Sequence, residues 1–226
     1  MACKLCARIR AHLWEKTDEW ERAHAGETGP WTDDPARSLE LVERAYAVQD
    51  TDPVAAHELM LDAADAGSAW AMNVVALRYW TGTVAEADLG WAEEYYRRAM
   101  EAGSWMAALY FARLVAEQGR HDDCESMLRD CVSKEFIPAY FWLAFFRCRR
   151  EKSGKVRREV KPLLVQAAEA GHPAAQVHLG SWMVIGRFGL LDIPAGFMWM
   201  SRWVARPEAD LAFLCDRRAT DTGARA

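Results

Sequence analysis

Three stretches of the chain repeat one pattern: "DAADAGSAWAMNVVALRYWTG" (62–82), "RRAMEAGSWMAALYFARLVAEQG" (97–119) and "VQAAEAGHPAAQVHLGSWMVIG" (165–186). Each contains an alanine-rich run, an Ala-Gly pair, a stretch of small and apolar residues, and another glycine. The alanine four residues after the glycine of the Ala-Gly pair is Ala71, Ala107 or Ala175, and a degenerate copy has Ala139 in register with Glu135 replacing the glycine. A period of roughly 36 residues is typical of a helical repeat array.

Each period is predicted to form two helices. The stretch "VAAHELMLDAADAG" (54–67) is rich in strong helix formers and ends on a glycine that suits a left-handed C-cap. The next stretch opens on Ser68, a good N-cap residue, and closes on Gly82. Small residues recur at two sites of this second stretch, and large residues precede the second site, as expected where two helices pack closely. The small residues are Ala71, Ala107, Ala139 and Ala175, then Ala76, Ala112, Ala144 and Gly180; the large ones are Val75, Phe111, Leu143 and Leu179.

The spacing predicts an all-α protein with about five helix-turn-helix repeats after a pair of N-terminal capping helices. The capping pair spans residues 1–52 and the array spans 53–220. Asp34 and Pro35 begin the second capping helix, and Pro207 begins the last helix of the array. The repeats are placed at about 53–88, 89–121, 122–158, 159–193 and 194–220.

The stretch "AQVHLGSWMVIG" (175–186) resembles the unit of the SLR family (Sel-one-like repeats), which are relatives of the tetratricopeptide repeats. That unit has an alanine, a Leu-Gly pair, an aromatic residue and a glycine, followed by a helix ending in Ala-Ala-x-x-Gly. "AMNVVALRYWTG" (71–82) keeps Tyr79 and Gly82, whereas the degenerate copy has lost both glycines. The resemblance implies a right-handed α-solenoid that acts as a scaffold in protein complexes and has no catalytic residues to transfer to this chain.

Composition and charge restrict the function further. Half of the 226 residues are hydrophobic, which provides for a sizeable core, and the net charge of -5 argues against a nucleic-acid binder. The sequence contains neither an apolar run of about 18 residues nor a start resembling a signal peptide. We therefore expect a cytoplasmic protein whose cysteines are mostly reduced.

Candidate catalytic and metal-binding residues are few. Cys3 and Cys6 have metal or redox spacing, but the sequence has no second pair to complete a structural zinc site. A small metal- or redox-dependent enzyme or regulator built on them is the alternative function. Cys124 and Cys131 lie seven residues apart on one helix and cannot bridge each other. The stretch His121-Asp122-Asp123 is interpreted as a helix start. We predict no enzyme, no metal and no cofactor.

In repeats of this kind the first helix of a unit, counted from the alanine of the Leu-Gly pattern, lines the concave surface. We predict that a peptide or protein surface binds in this groove. Aromatic and arginine side chains there are typical of binding hot spots, whereas Trp91 and Trp199 are placed near core positions. The predicted groove residues are Asn73, Arg78, Tyr110, Arg113, Trp142, His178 and Trp182.

The stretch "RCRREKSGKVRREVK" (147–161) has eight basic and two acidic residues and is predicted to be an enlarged loop. Such a loop is either a solvated segment or a docking patch for an acidic partner, an anionic lipid surface or, least of all, nucleic acid. Self-association is also open. The candidate residues of the basic loop are Arg147, Arg149, Arg150, Lys152, Lys155, Arg157 and Arg158.

Overall fold

The computed structural model describes the backbone of residues 4–29 and 34–204, and the side chains of residues 11–29 and 34–201. Every regular element in these ranges is helical, as the repeat pattern predicts. The chain divides into two compact units, Glu19–Arg150 and a second unit made of Met1–Asp18 with Glu151–Ala226. The first helix, α1 (Lys4–Ala25), contributes to both units.

The unit Glu19–Arg150 contains seven further helices that pack in sequence order, each against the next. In addition, α4 contacts α6 and α6 contacts α8, so these three helices form one row. We call it the inner row; α3, α5 and α7 lie behind it. The helices are α2 (Ala36–Val48), α3 (Pro53–Asp65), α4 (Ala69–Thr81), α5 (Leu89–Glu101), α6 (Trp105–Glu117), α7 (His121–Ser133) and α8 (Ile137–Arg150).

The second unit contains α9 (Gly154–Glu169), α10 (Pro173–Val184), a 3-10 turn (Leu190–Asp192) and α11 (Ile193–Val204). Two glycines bring α10 and α11 close together. A methyl group at Gly196 would lie 2.7 Å from the backbone nitrogen of Val184, and one at Gly180 would lie 2.6 Å from the sulfur of Met200. α11 lies at the start of the fifth repeat predicted from the sequence, and the second helix of that repeat, from Pro207, lies outside the described residues.

The Ala-Gly pairs form the same turn each time, which is the physical basis of the repeated pattern. After α3, the Gly67 amide donates to the Ala64 carbonyl and the Ser68 amide donates to the Ala63 carbonyl. This is a Schellman motif, and Gly67 takes the positive φ of 103° that the motif requires. The hydroxyl of Ser68 then accepts from the Ala71 amide and caps α4.

The degenerate copy keeps this turn without its glycine. Glu135 adopts a φ of 60°, and it is the non-glycine residue with positive φ in the described chain. The Phe136 amide still donates to the Cys131 carbonyl at 3.0 Å, so the turn is complete. An L-residue in this region costs about 1–2 kcal/mol relative to ordinary helical backbone.

We expect Glu135→Gly to raise the free energy of unfolding by about 0.5–1 kcal/mol. The gain is smaller than the conformational strain because glycine also gives the unfolded chain more freedom. Urea unfolding measures it. The reciprocal control is Gly119→Glu, at a φ of 80° with open space around the position, which should lose about 1–2 kcal/mol. A loss of stability in Glu135→Gly would contradict the assignment of strain.

The small residues predicted at the helix contacts are buried. Ala71, Ala107, Ala139 and Ala175 have no exposed surface, and neither do Ala76, Ala112 and Ala144. The prediction for Trp91 is wrong, because this side chain is 53% exposed on the first turns of α5. None of the described helices is both long and apolar enough to cross a lipid bilayer.

Candidate functional site

Five of the seven predicted groove residues belong to the inner row: Asn73 and Arg78 on α4, Tyr110 and Arg113 on α6, and Trp142 on α8. Three of them are not open to solvent. Asn73 is 7% exposed, Tyr110 is 5% exposed and Trp142 is 4% exposed. The inner row is therefore partly covered, and the cover comes from the N-terminal part of the chain.

The C-terminal end of α1 lies across the inner row. Glu21 is 1% exposed, and its carboxylate accepts a hydrogen bond of 2.7 Å from the indole nitrogen of Trp142 on α8. The next residue, Arg22, donates to the Tyr110 hydroxyl on α6 at 2.8 Å. Its guanidinium also lies 5.4 Å from the ring centroid of Trp70 on α4. Two consecutive residues of α1 thus contact all three helices of the row.

The residue that follows α1 caps α6. α1 ends in a Schellman motif, in which the Glu27 amide donates to the Arg22 carbonyl at 2.8 Å. The Glu27 carboxylate then accepts from the backbone amides of Trp105 at 2.7 Å and Met106 at 3.2 Å. A carboxylate is favoured there because the unpaired amides and the helix dipole carry positive charge.

Ser104 connects this cap to α4. Its hydroxyl donates to Glu27 at 2.6 Å and accepts from the Ala107 amide and from the Asn73 amide group. Burial raises the pKa of Glu27, and the hydrogen bonds from Ser104, Met106 and Trp105 oppose that rise. The cluster is therefore a desolvated polar junction between three segments of the chain.

Arg113 on α6 is held by aromatic rings rather than by an acid. Its guanidinium lies 4.6 Å from the ring centroid of Trp142, 5.6 Å from that of Tyr110 and 5.9 Å from that of Trp80. These rings come from α8, α6 and α4, so the cation is positioned by three successive repeats. Among the residues that the structure describes, none accepts a hydrogen bond from Arg113 or pairs with its charge. Its five N–H donors therefore lie on an aromatic support without an acceptor among the described residues.

Arg78 is directed toward α3, where it donates to the Ala56 carbonyl at 3.3 Å. Burial lowers the pKa of Arg78, and burial together with the charge of Arg78 lowers the pKa of neighbouring His57. Neither ring nitrogen of His57 has a hydrogen-bond partner among the described residues. The neutral imidazole packs edge-on against Tyr79, with ring centroids 5.5 Å apart.

The remaining two predicted groove residues, His178 and Trp182, belong to the second unit. Their rings meet edge to face with centroids 5.7 Å apart, and Trp14 of α1 lies 6.2 Å from His178. Burial lowers the pKa of His178, whose Nδ1 lies 2.9 Å from the Ala174 carbonyl oxygen. Trp182 is half-buried, and the Arg187 guanidinium lies 5.1 Å from its ring centroid.

The prediction of an enlarged basic loop at 147–161 is wrong. Only Glu151–Ser153 separate α8 from α9. The Ser153 hydroxyl accepts a 3.2 Å hydrogen bond from the Val156 amide and so caps the start of α9. Arginine and lysine are good helix formers, so the basic residues on both sides of this connection are helical. Arg147, Arg149 and Arg150 lie in the last turn of α8, Lys152 lies in the connection, and Lys155, Arg157 and Arg158 lie in α9.

Some of these charges are already paired. Arg147 lies 3.4 Å from Glu125, and Arg150 donates to Asp122 in the first turn of α7. Arg149 is exposed, with its guanidinium 5.5 Å from the ring centroid of Phe145. The helix start predicted at His121 is confirmed, and Asp123 pairs with Arg120 there.

The part of the chain whose side chains are described contains three cysteines, Cys124, Cys131 and Cys148. Cys3 and the side chain of Cys6 lie outside the described residues, so the Cys-x-x-Cys alternative stays a prediction. Cys124 and Cys131 are buried in α7, and burial raises the pKa of their thiols to about 12 and about 11. Within residues 11–29 and 34–201, no group of three or more His, Cys, Asp or Glu residues could hold a metal ion.

Sequence reasoning missed Glu21, Arg22 and Glu27. The turn at Gly26 could have been found, since "AHAGE" (23–27) has the same glycine ending as the repeats. Nothing local shows that Glu27 caps a helix 78 residues further along the chain.

Two solved structures share this fold. One is the Sel1 repeat protein from Oxalobacter formigenes, at a TM-score of 0.60 and 18% identity over 88% of this chain and 84% of that chain. The other is c5321, a protective antigen of uropathogenic Escherichia coli strains that displays an SLR fold. Its TM-score is 0.61, with 20% identity over 84% of this chain and 42% of that chain. The predicted resemblance to Sel-one-like repeats is thereby confirmed for the fold.

No protein-family model and no curated protein matches this sequence. The two solved structures therefore show a helical repeat fold for this chain.

Proposed function

We propose that this protein is a non-catalytic adaptor that binds a partner protein on the inner row, with Arg113 receiving a carboxylate of that partner. Stacked repeats provide an extended surface for protein binding. The observation that carries the proposal is the position of Arg113, which three aromatic rings hold while its N–H donors lack partners among the described residues.

The surroundings of Arg113 favour an acidic partner. A guanidinium binds a carboxylate through two parallel hydrogen bonds, and an arginine already fixed in place loses little conformational entropy on binding. Half-buried Phe146 stacks on Trp142 with ring centroids 5.7 Å apart, and half-buried Trp80 adds a second aromatic surface. Exposed Arg149 at the end of α8 adds positive charge, which would accelerate encounter with an acidic segment.

The test compares capture of proteins from native lysate by the tagged full chain and by two variants. Arg113→Gln removes the receptor, and Arg129→Gln on α7 removes the same charge from an exposed arginine paired with Glu125. We expect one or more proteins to be captured by wild type and Arg129→Gln but at least tenfold less by Arg113→Gln. Titration calorimetry with the identified protein then measures the affinity.

A third variant distinguishes geometry from charge. Arg113→Lys keeps the charge but loses the planar fork and most of the stacking, so binding should remain weak. Circular dichroism establishes that each variant is folded before capture is compared. Equal capture by Arg113→Gln and Arg129→Gln would refute the proposal. Trp182→Ala in the same assay tests the predicted contribution of α10.

A further inference from the structure

We propose that the surface on which residues 21–27 lie is a receptor for a helix, and that a helical segment of the partner protein replaces α1 there. We call this surface the helix seat; it consists of Trp70, Tyr110, Trp142 and the N-terminus of α6. The segment would carry a glutamate, an arginine directly after it, and a second acid six residues after the first, beyond a glycine that ends the helix. The inference rests on the proposed function, since it names what the partner presents to the inner row.

The helix seat requires this chemistry because several of its groups can only donate hydrogen bonds. The indole nitrogen of Trp142 is a donor only, and so are the backbone amides of Trp105 and Met106. Each therefore requires an acceptor from whatever lies on the seat, and in this chain Glu21 and Glu27 supply them. Between these positions, the Trp70 ring and the Tyr110 hydroxyl accommodate a guanidinium.

The way α1 is held argues that it can be exchanged. Of its described side chains, residues 11–25, only Thr17 and Glu21 are buried, and both are polar. By contrast, α6 buries nine residues, most of them apolar. Apolar burial is the main source of stable packing, whereas polar contacts can be replaced by equivalent ones from another segment or by water.

The fit of α1 also leaves one polar group unsatisfied. A cavity of about 20 Å³ lies between Arg22, Glu27, Asn73 and Tyr110, large enough for one water molecule. The Asn73 carbonyl oxygen, on a side chain only 7% exposed, has no partner among the described residues. A partner segment with a donor at this position would satisfy a group that α1 leaves unpaired.

Because α1 is tethered, it competes with any partner. The effective concentration of a tethered segment depends on the length of its connection and reaches roughly millimolar when the connection is short. The apparent affinity of a competing helix is its intrinsic affinity multiplied by the fraction of molecules whose seat is free. Weakening α1 in the chain must therefore strengthen binding of the same helix when it is added separately.

The experiment uses the chain's own segment as the probe. A fluorescein-labelled peptide of residues 11–29 is titrated into the full-length chain and into the Glu21→Ala, Glu27→Ala double variant, with binding followed by fluorescence anisotropy. We expect the peptide to bind the double variant at least tenfold more tightly than it binds wild type. The matched control peptide carries the same two substitutions and should bind the double variant at least tenfold more weakly.

Three outcomes would overturn the inference: equal binding to both chains, no binding to a folded double variant, or equal binding of both peptides. A wild-type dimer by light scattering that dissociates on the double substitution would identify a second copy as the occupant, and would also overturn it. The capture assay with Arg113→Gln does not depend on these peptide measurements. The proposed function therefore still holds if α1 proves not to be exchangeable but Arg113→Gln loses capture.

Amide hydrogen exchange on wild-type protein provides a second measurement if the double variant does not fold. An exchangeable α1 opens without the rest of the chain, so its amides should exchange at least a hundredfold faster than those of α6. Equal rates in α1 and α6 would show that α1 leaves the seat only when the unit unfolds, and would refute the inference.

Discussion

Replacing Trp142 by alanine is expected to lower the free energy of unfolding by about 3–5 kcal/mol. The indole is 4% exposed and packs against three phenylalanines of α8, with ring centroids 5.2–5.7 Å away from those of Phe141, Phe145 and Phe146. Alanine would leave a cavity in this cluster and would also remove the support of Arg113. Urea unfolding followed by circular dichroism measures the loss.

A second tryptophan provides the control. Trp91 is 53% exposed; its ring stacks on Tyr79 with centroids 6.4 Å apart and is tilted against Tyr95 with centroids 6.1 Å apart. Trp91→Ala should therefore cost about 1 kcal/mol. Trp142→Phe separates packing from hydrogen bonding, since it keeps most of the ring but leaves the buried Glu21 carboxylate without its indole donor, at about 1–3 kcal/mol. Comparable losses in Trp142→Ala and Trp91→Ala would contradict the described burial.

The burial of Trp142 has a consequence for testing function. From the sequence, a Trp142→Ala, Trp182→Ala pair is expected to remove binding without affecting the fold. The structure makes Trp142 part of the core of its unit, so loss of binding in that pair would report instability. Arg113 is the better probe, because it is half-buried rather than part of the core.

The repeated hairpins could be predicted because their signals are local. Ser68 and Ser104 each cap the helix that they precede, and each follows a left-handed glycine. A pattern that recurs every 32 to 36 residues needs no knowledge of distant contacts. The same local reasoning is wrong at 147–161, where it predicts a basic loop although arginine and lysine favour helices.

The position of α1 could not be predicted because it depends on contacts between distant residues. Glu21 and Trp142 are 121 residues apart, and nothing in the composition of α1 identifies its acceptors. An amphipathic N-terminal helix fits a cap at the end of the array as well as a place on the inner row. The choice is made by unsatisfied donors on α6 and α8, which become apparent only when these helices are in place.

Replacing Glu27 by alanine is expected to lower the free energy of unfolding by about 2–4 kcal/mol. The side chain is 2% exposed and accepts from the Ser104 hydroxyl and from two backbone amides. Alanine would leave the amide of Met106, a residue 1% exposed, and the Ser104 hydroxyl buried without acceptors. The loss cannot exceed the free energy that holds α1 on the helix seat, because undocking would let water reach these donors.

The dependence of this loss on pH identifies its cause. Because burial raises the pKa of Glu27 above its ordinary value of 4.5, the folded protein binds the proton more tightly than the unfolded chain does. The contribution of Glu27 to the free energy of unfolding is therefore complete below pH 4.5 and decreases as pH rises through the raised pKa.

Urea unfolding should show a larger difference in the free energy of unfolding between wild type and Glu27→Ala at pH 4.5 than at neutral pH. The control Glu40→Ala, at an exposed position of α2, should not show the loss. A difference that grows toward neutral pH would mean that the ionised carboxylate is the better cap, and that the helix dipole and amides outweigh the cost of burial.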